Sequence, residues 1–322
     1  MTSADRGPTA IVTGGAGYLG THVVRELVAH AQPVVIIDDL SSGTQVADDL
    51  LGHPLVRILH TDLRHNEEIL SIFNDVQPSV VFHLAALHFI PACIANPLRT
   101  LSINVLGTQS VLDGCARVEQ PPTLVFASTA DVYRPQVEPH HEDSPVGSDN
   151  VYGLSKFVGE ELIAHSARTG HCRPVIARLF NLYGPGETNP HVIPEIMNQL
   201  KVSNDVRLGN TSPRRDYVYV HDAAHALFTL SREAKPGTTV NVGTGFSYSV
   251  DDIISTIAAL IQRDIRVTTD PLRFRASDRP NLQNDPTLLR TIGSDLLRTD
   301  VNVGLRRLLE HEGLMPPSAA SS

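Results

Sequence analysis

The chain has 322 residues, 41 % of them hydrophobic, and carries a formal net charge of −9. That length can bury one large core or two closely joined ones, and the acidic surplus excludes a protein that coats nucleic acid or an anionic membrane. No apolar run reaches the roughly 18 residues of a spanning helix, and "MTSADRGP" lacks the basic start and apolar middle of a secretory leader, so a cytoplasmic protein is expected.

The first element is the apolar run "TAIVTG", which predicts a strand, and the 3.6-periodic segment from Thr21 to His30 predicts a helix behind it. Between them stand Gly14, Gly17 and Gly20. Gly14 allows a tight turn after the strand, Gly17 lets backbone approach a pyrophosphate, and Gly20 lets the helix pack against the strand. The helix N-terminus then faces the anion. The next run, "PVVIIDD", brings Asp38 24 residues after Gly14. A carboxylate there binds the adenosine ribose hydroxyls and repels a 2′-phosphate, so NAD is expected rather than NADP. The third run, "VRILHTD", ends on Asp62, which either meets the adenine amino group or caps the segment after it.

Two further runs, "SVVFHLAA" and "TLVFAST", complete an alternation of short β-branched strands with longer amphipathic segments. It predicts an α/β fold, a doubly wound parallel sheet with helices on both faces. His83 is expected as a packed strand-end residue, and His88 in the loop beyond it faces the site. In "YGLSK" the i,i+4 spacing puts Tyr152 and Lys156 on one helix face, and lysine occurs only three times in the chain. A cation near the phenol, together with a positively charged nicotinamide, lowers its pKa and makes it a usable general base. Beyond Tyr183 the rhythm loosens into Gly- and Pro-rich segments such as "GPGETNPHVIP", which predicts a smaller, loop-rich region. Cys93, Cys115 and Cys172 are expected as reduced packing residues, and no metal is expected from 15 scattered histidines.

The ordered series "TGGAGYLG", "DDLSSG", "TDL", "HLAA", "NVLGT", "FAST", "YGLSK", "RLFNLYGPG", "RRDYVYVHD", "NVGTG" and "RASDRPNLQND" resembles the extended short-chain dehydrogenase/reductases that epimerise or dehydrate nucleotide sugars. The resemblance runs from Thr9 to Gly293. It implies a Rossmann-type sheet with a smaller mixed α/β substrate-binding region at the C-terminal end. The cofactor domain would span residues 1–182, with 216–245 returning to it, and 183–322 would mainly bind the nucleotide sugar. A catalytic set of Thr129, Tyr152, Lys156 and a structural or proton-relay Asn104 is implied. NAD contacts follow at Gly14, Gly17, Tyr18, Leu19, Gly20, Asp38, Asp39, Leu40, Ser42 and Gly43. They continue at Asp62, Leu63, Leu84, Ala85, Ala86 and His88, and include Asn104, Tyr152 and Lys156. Substrate contacts are implied at Ser128, Thr129, Asp131, Tyr152, Asn181, Val192, Tyr217 and Leu282. Arg215 and Arg275 would hold the diphosphate, with planar forks that meet phosphate oxygens in pairs, and Asp278 the nucleoside ribose. Read locally, Arg215 and Asp216 could instead be a surface ion pair. The family pairs the helices of "SINVLGTQSVLDGCARV" and "VYGLSKFVGEELIAHSA" across a two-fold axis, which implies a homodimer.

Two departures from the family pattern bear on the reaction. The 4,6-dehydratases carry Asp-Glu where this chain has Ala130 and Asp131, which disfavours dehydration; decarboxylases of nucleotide-linked glucuronic acid carry Glu at the second position. Arg134 replaces a common glycine, as a solvated loop residue or a contact to an acidic sugar. The expected reaction is NAD-dependent C4 epimerisation of a nucleoside-diphosphate sugar. Decarboxylation or dehydration from the same 4-keto intermediate is the alternative, and a non-catalytic NAD-binding sensor has no need of Thr129, Tyr152 and Lys156.

Overall fold

The computed structural model describes residues 8–41, 43, 45–274 and 279–315. The chain opens with β1 (Ala10–Thr13), α1 (Tyr18–Ala29), β2 (Val34–Asp38), β3 (Val56–His60), α2 (Asn66–Val76) and β4 (Val80–His83). Next come α3 (Ile90–Ala95), α4 (Pro97–Leu101), a π-helical turn (Ser102–Leu106) and α5 (Gly107–Cys115). Then follow β5 (Thr123–Thr129), α6 (Val151–Arg168), β6 (Arg173–Leu179), β7 (Asn181–Tyr183), α7 (Val192–Leu200), β8 (Asp205–Leu208) and β9 (Arg214–Tyr219). The last part holds α8 (Val220–Glu233), β10 (Thr238–Val242), β11 (Ser247–Ser249), α9 (Val250–Ile261), β12 (Arg266–Thr269), β13 (Asn281–Leu282), α10 (Thr287–Ile292) and α11 (Val301–His311).

All five predicted runs are strands of one seven-stranded sheet, ordered β10-β6-β5-β4-β1-β2-β3 and parallel throughout. Alternation along each strand sends side chains to two cores. Val12, Ile36, Phe82 and Val125 pack with Val23 and Leu27 of α1 and Leu227 of α8. Ile11, Val35, Val81 and Leu124 pack with Phe73 of α2, Val111 of α5 and Ile163 of α6. Being covered on both faces, the strands need continuous apolar runs rather than an alternating pattern. Each buried aliphatic side chain contributes about 1.5–3 kcal/mol, and Phe82→Ala would cost about 3–5 kcal/mol. The first helix starts at Tyr18, three residues before the periodic segment, because Gly17 takes the extended N-cap conformation.

The remaining strands are short. β9 pairs with β11, β13 and β7, and β8 pairs with β12. Beneath them α7, α9 and α11 share a separate core built on Ile196, Ile257, Leu305 and their neighbours. Cys93, Cys115 and Cys172 are buried free thiols. Among the described residues no helix is long and apolar enough to cross a membrane.

Candidate active site

The carboxyl ends of β1 to β5 open onto one cavity of about 890 Å³, the position where parallel α/β sheets bind ligands. The glycine turn forms its floor. Gly14 has φ +72°, and a Cβ there would stand 2.7 Å from the Ala85 backbone nitrogen. A Cβ on Gly20 would run into the Gly14 carbonyl oxygen, and one on Gly17 would stand 3.2 Å from the same atom. Tyr18, Leu19, Leu63, Leu84, Ala85 and Ala86 border the cavity beside them. At the end of β2, Asp38 accepts from the Ala16 N–H at 3.0 Å and the Leu40 N–H at 2.9 Å, which fixes its carboxylate over the turn. Burial pushes its pKa up, against those hydrogen bonds. Asp39 and Asp62 also border the cavity. Asp62 is not a helix cap: the cap position of α2 is His65, and Asp62 is ion-paired to Arg64, which holds its carboxyl below the usual range.

Leu40 and Gly43 do not border the cavity; Leu40 turns its side chain into the core on the α1 side, and Gly43 sits exposed with its N–H on the Leu40 carbonyl. Ser42 lies outside the described residues.

The polar wall comes from β5 and α6. Asn150 caps α6 by accepting from the Gly153 N–H at 3.0 Å, which sets the first turn and brings Tyr152 and Lys156 to the cavity. The Thr129 side chain neighbours the Tyr152 phenol, and its oxygen accepts from the Asp131 N–H at 3.2 Å. The expected acidic phenol is not a property of the protein alone. Burial raises the Tyr152 pKa and the Asp131 carboxylate raises it further, against the neighbouring Thr129, which lowers it. Lys156 is 3 % exposed, with its Nζ 4.7 Å from the centroid of the Phe126 ring. Burial lowers its pKa to about 7, opposed by Glu160.

Other expected residues stand behind this wall. Asn104 lies in the π-helical turn, 2 % exposed and set back from the cavity. It bonds both backbone groups of Leu87 and donates to Ser155 Oγ at 2.9 Å, which holds the loop after β4 in place. Ser128 borders the cavity, but its hydroxyl donates to Glu160, which is ion-paired to Arg178 at 2.7 Å. Sequence reasoning missed this buried pair, whose members lie on a helix and a strand of unrelated periodicity. His83 is packed as expected, between the Thr13 and Thr108 hydroxyls at 2.8 and 2.9 Å, with burial lowering its pKa to about 3.

Asn181, Val192, Arg215, Tyr217 and Leu282 line the opposite side. Register explains the grouping, since Asn181 is opposite Tyr217 across β7 and β9, and Leu282 opposite Arg215 across β13 and β9. Arg215 donates from one nitrogen to the carbonyls of Arg214 and Arg279, both at 2.8 Å. Its neighbour Asp216 is no surface partner: it is fully buried and accepts from the Thr244 and Gly245 N–H groups. Arg275 and Asp278 lie outside the described residues. Arg134 does not border the cavity; it donates to the Val146 carbonyl at 3.1 Å in an exposed loop. Arg279, which the sequence reading passed over, is 4 % exposed and reaches Asp149 at 2.9 Å and Asp131 at 4.0 Å.

The histidines are less scattered in space than in sequence. His88, Glu187 and His191 come together on the cavity wall, each offering a ligand atom within 4.8 Å of the others. The spacing gave no signal, because about a hundred residues separate His88 from the other two. His221 and His225 do stand at i,i+4 spacing on α8, but His225 bonds Glu26 at 2.8 Å and His221 packs against His22 and Tyr219.

Residues 10–243 match the NAD dependent epimerase/dehydratase family. The chain belongs to that family. A member from Azospirillum brasilense, a UDP-glucose 4-epimerase, is 30 % identical over 282 residues, covering 81 % of this chain and 80 % of its own. A UDP-N-acetyl-alpha-D-glucosaminuronate decarboxylase from Bacillus cytotoxicus is 28 % identical, over 87 % of this chain and 90 % of its own. The UDP-glucose 4-epimerase of Thermus thermophilus in complex with NAD superposes with a TM-score of 0.84 at 27 % identity, over 95 % of this chain and 99 % of that one. As an enzyme of the NAD-dependent epimerase/dehydratase family, the chain uses NAD. Its glycine turn without room for a Cβ, its pinned Asp38 and its buried Tyr152 and Lys156 fit that cofactor.

Proposed function

We propose that the protein inverts C4 of a sugar carried on a nucleoside diphosphate, through a transient 4-keto sugar. NAD, when bound, supplies the hydride acceptor and donor and a positive ring beside Tyr152. The phenol of Tyr152 takes the O4 proton and later returns it, and Thr129 hydrogen-bonds O4. Lys156 holds the nicotinamide ribose and lends positive charge. Asn181 and Arg215, with Arg275, bind the diphosphate, which leaves the hexose free to turn between its two faces. The observation that carries the reading is that Thr129, Tyr152 and Lys156 border one cavity together with Asn181 and Arg215. The organisation that goes with it is a cofactor domain over residues 1–182 and 216–245 and a substrate region over most of 183–322.

One observation favours a second reading. Asp131 borders the cavity and acts electrostatically on Tyr152, where a carboxylate could serve decarboxylation or dehydration of the same keto sugar. Incubation of the purified protein with a panel of nucleotide sugars, followed by NMR, separates the two: epimers support the first reading, and loss of carbon dioxide or water supports the second. Tyr152→Phe should remove turnover with NAD still bound, and activity kept within a few-fold would remove Tyr152 from the mechanism.

The assembly is a homodimer in this proposal. Ile94, Leu98, Leu106 and Leu154 are 56, 81, 56 and 49 % exposed on α3, α4, the π-helical turn and α6. Light scattering should give a dimer that Leu98→Asp dissociates.

A further inference from the structure

We propose that His88, Glu187 and His191 form a seat for a divalent transition-metal ion of the zinc class on the wall of the cavity. Two imidazoles and one carboxylate are a donor set suited to such an ion, and three protein ligands leave a position for an oxygen atom from the cavity. His88 is in the loop after β4, while Glu187 and His191 are in the loop that leads into α7, so the ion would tie the two sides of the cavity mouth together.

Geometry supports the assignment. The ligand atoms lie within 4.8 Å of one another. Ligands at about 2.1 Å on a tetrahedral ion stand about 3.4 Å apart, so closure needs shifts of about an ångström, within reach of small side-chain rotations. The Asn189 Nδ2 group lies 3.2 Å from His88 Nε2 and 3.1 Å from Glu187 Oε1. An amide NH₂ only donates, so both of those atoms accept, with lone pairs aimed at the same amide group. A cation would take over those lone pairs once the Asn189 side chain rotates aside. His191 closes the third side, with its ring stacked against that of His88 at an interplanar angle of 26°. Glu187 and His191 are half-buried, which weakens competition from bulk water on their side of the seat.

The seat is tested on the NAD-loaded protein, without any sugar, so that its outcome is independent of which sugar reaction the enzyme performs. Calorimetric titration of chelator-treated protein with Zn²⁺ should show one ion per chain. His88→Ala, His191→Ala and Glu187→Gln should each weaken binding by about tenfold or more. Co²⁺ should give a visible absorption band in the wild type that His191→Ala abolishes. Far-ultraviolet circular dichroism and the melting temperature certify each variant as folded, and His88→Gln or His191→Gln replaces the corresponding alanine variant if it fails. Absence of saturable Zn²⁺ binding in the wild type, or unchanged binding in a folded His88→Ala, His191→Ala double variant, overturns the proposal.

Discussion

Asn104 holds both backbone groups of Leu87: its Oδ1 accepts from the Leu87 N–H at 2.8 Å and its Nδ2 donates to the Leu87 carbonyl at 2.9 Å. Leu87 belongs to the cavity wall, so a side chain with no surface in the cavity fixes the shape of the loop after β4. Asn104→Ala leaves the part-buried Leu87 N–H without its acceptor and the Leu87 carbonyl with only the weak Cys93 S–H donor, and should cost about 1–3 kcal/mol of stability, with weaker NAD binding. Urea unfolding and NAD titration check it, and an unchanged midpoint would show that the loop holds itself.

Asp38 should set the choice of dinucleotide. Its carboxylate, fixed by two backbone N–H groups, meets a 2′-phosphate with like charge. Asp38→Asn keeps an acceptor oxygen and removes the charge. The preference for NAD over NADP should fall by about tenfold or more, matching the roughly 1–4 kcal/mol between two charges about 4 Å apart. Equal preference in the two proteins, measured by fluorescence titration, would mean that another group discriminates.

Acid should destabilise the fold through its neutral histidines. Burial lowers the pKa of His140 from 6.5 to about 4, and similar burial acts on His22, to about 4, and on His83, to about 3. Between those values and 6.5 the unfolded chain binds more protons, so stability is intact above 6.5 and declines as pH falls toward 4. His140 stacks on Tyr133, and its ring nitrogens have no hydrogen-bond partner among the described residues. His140→Phe keeps the stack and should remove one proton, about 1.4 kcal/mol per pH unit, from the slope of unfolding free energy between pH 6 and 5. A slope identical to that of the wild type would place His140 outside the acid response.

Leu282 should tune the sugar. It is opposite Arg215 in register and lines the cavity with an intermediate volume and no polar group. Sugars with a plain C2 hydroxyl should be preferred over N-acetylated ones. Leu282→Tyr should sharpen that preference and Leu282→Ser relax it, by about 1–3 kcal/mol in the ratio of kcat/KM values. If neither variant moves the ratio, Leu282 does not face C2.

What could be read in advance was local in the chain. The runs around Val12, Ile36 and Val81 are apolar because both faces of each strand are covered, and Gly14 and Gly20 leave no room for a Cβ while one on Gly17 would crowd the Gly14 carbonyl. The i,i+4 spacing of Tyr152 and Lys156 survives folding because one helix carries both. Relationships made by strand order and loop closure left no such trace. Arg279 meets Asp149 across 130 residues, and His88 meets Asn189 across 101. In the protein alone, burial and Asp131 rather than the nearby lysine dominate the Tyr152 phenol, and both act through the fold rather than through local sequence.

The path of the chain through β10 has a consequence for engineering. The polypeptide leaves the large sheet at Leu179 and returns to it at Thr238, where β10 pairs with β6 along its whole length. A fragment ended at residue 182 would bare β6 as an unpaired edge, with Val175 and Ala177 stripped of the β10 neighbours they have in the intact chain. Such a fragment should stick to itself rather than stand alone. Grafting a new sugar preference from a relative therefore has to exchange the excursion from 180 to 237 between two anchored ends together with the later segment that carries Leu282, as one replaces loops, and not as one joins a module.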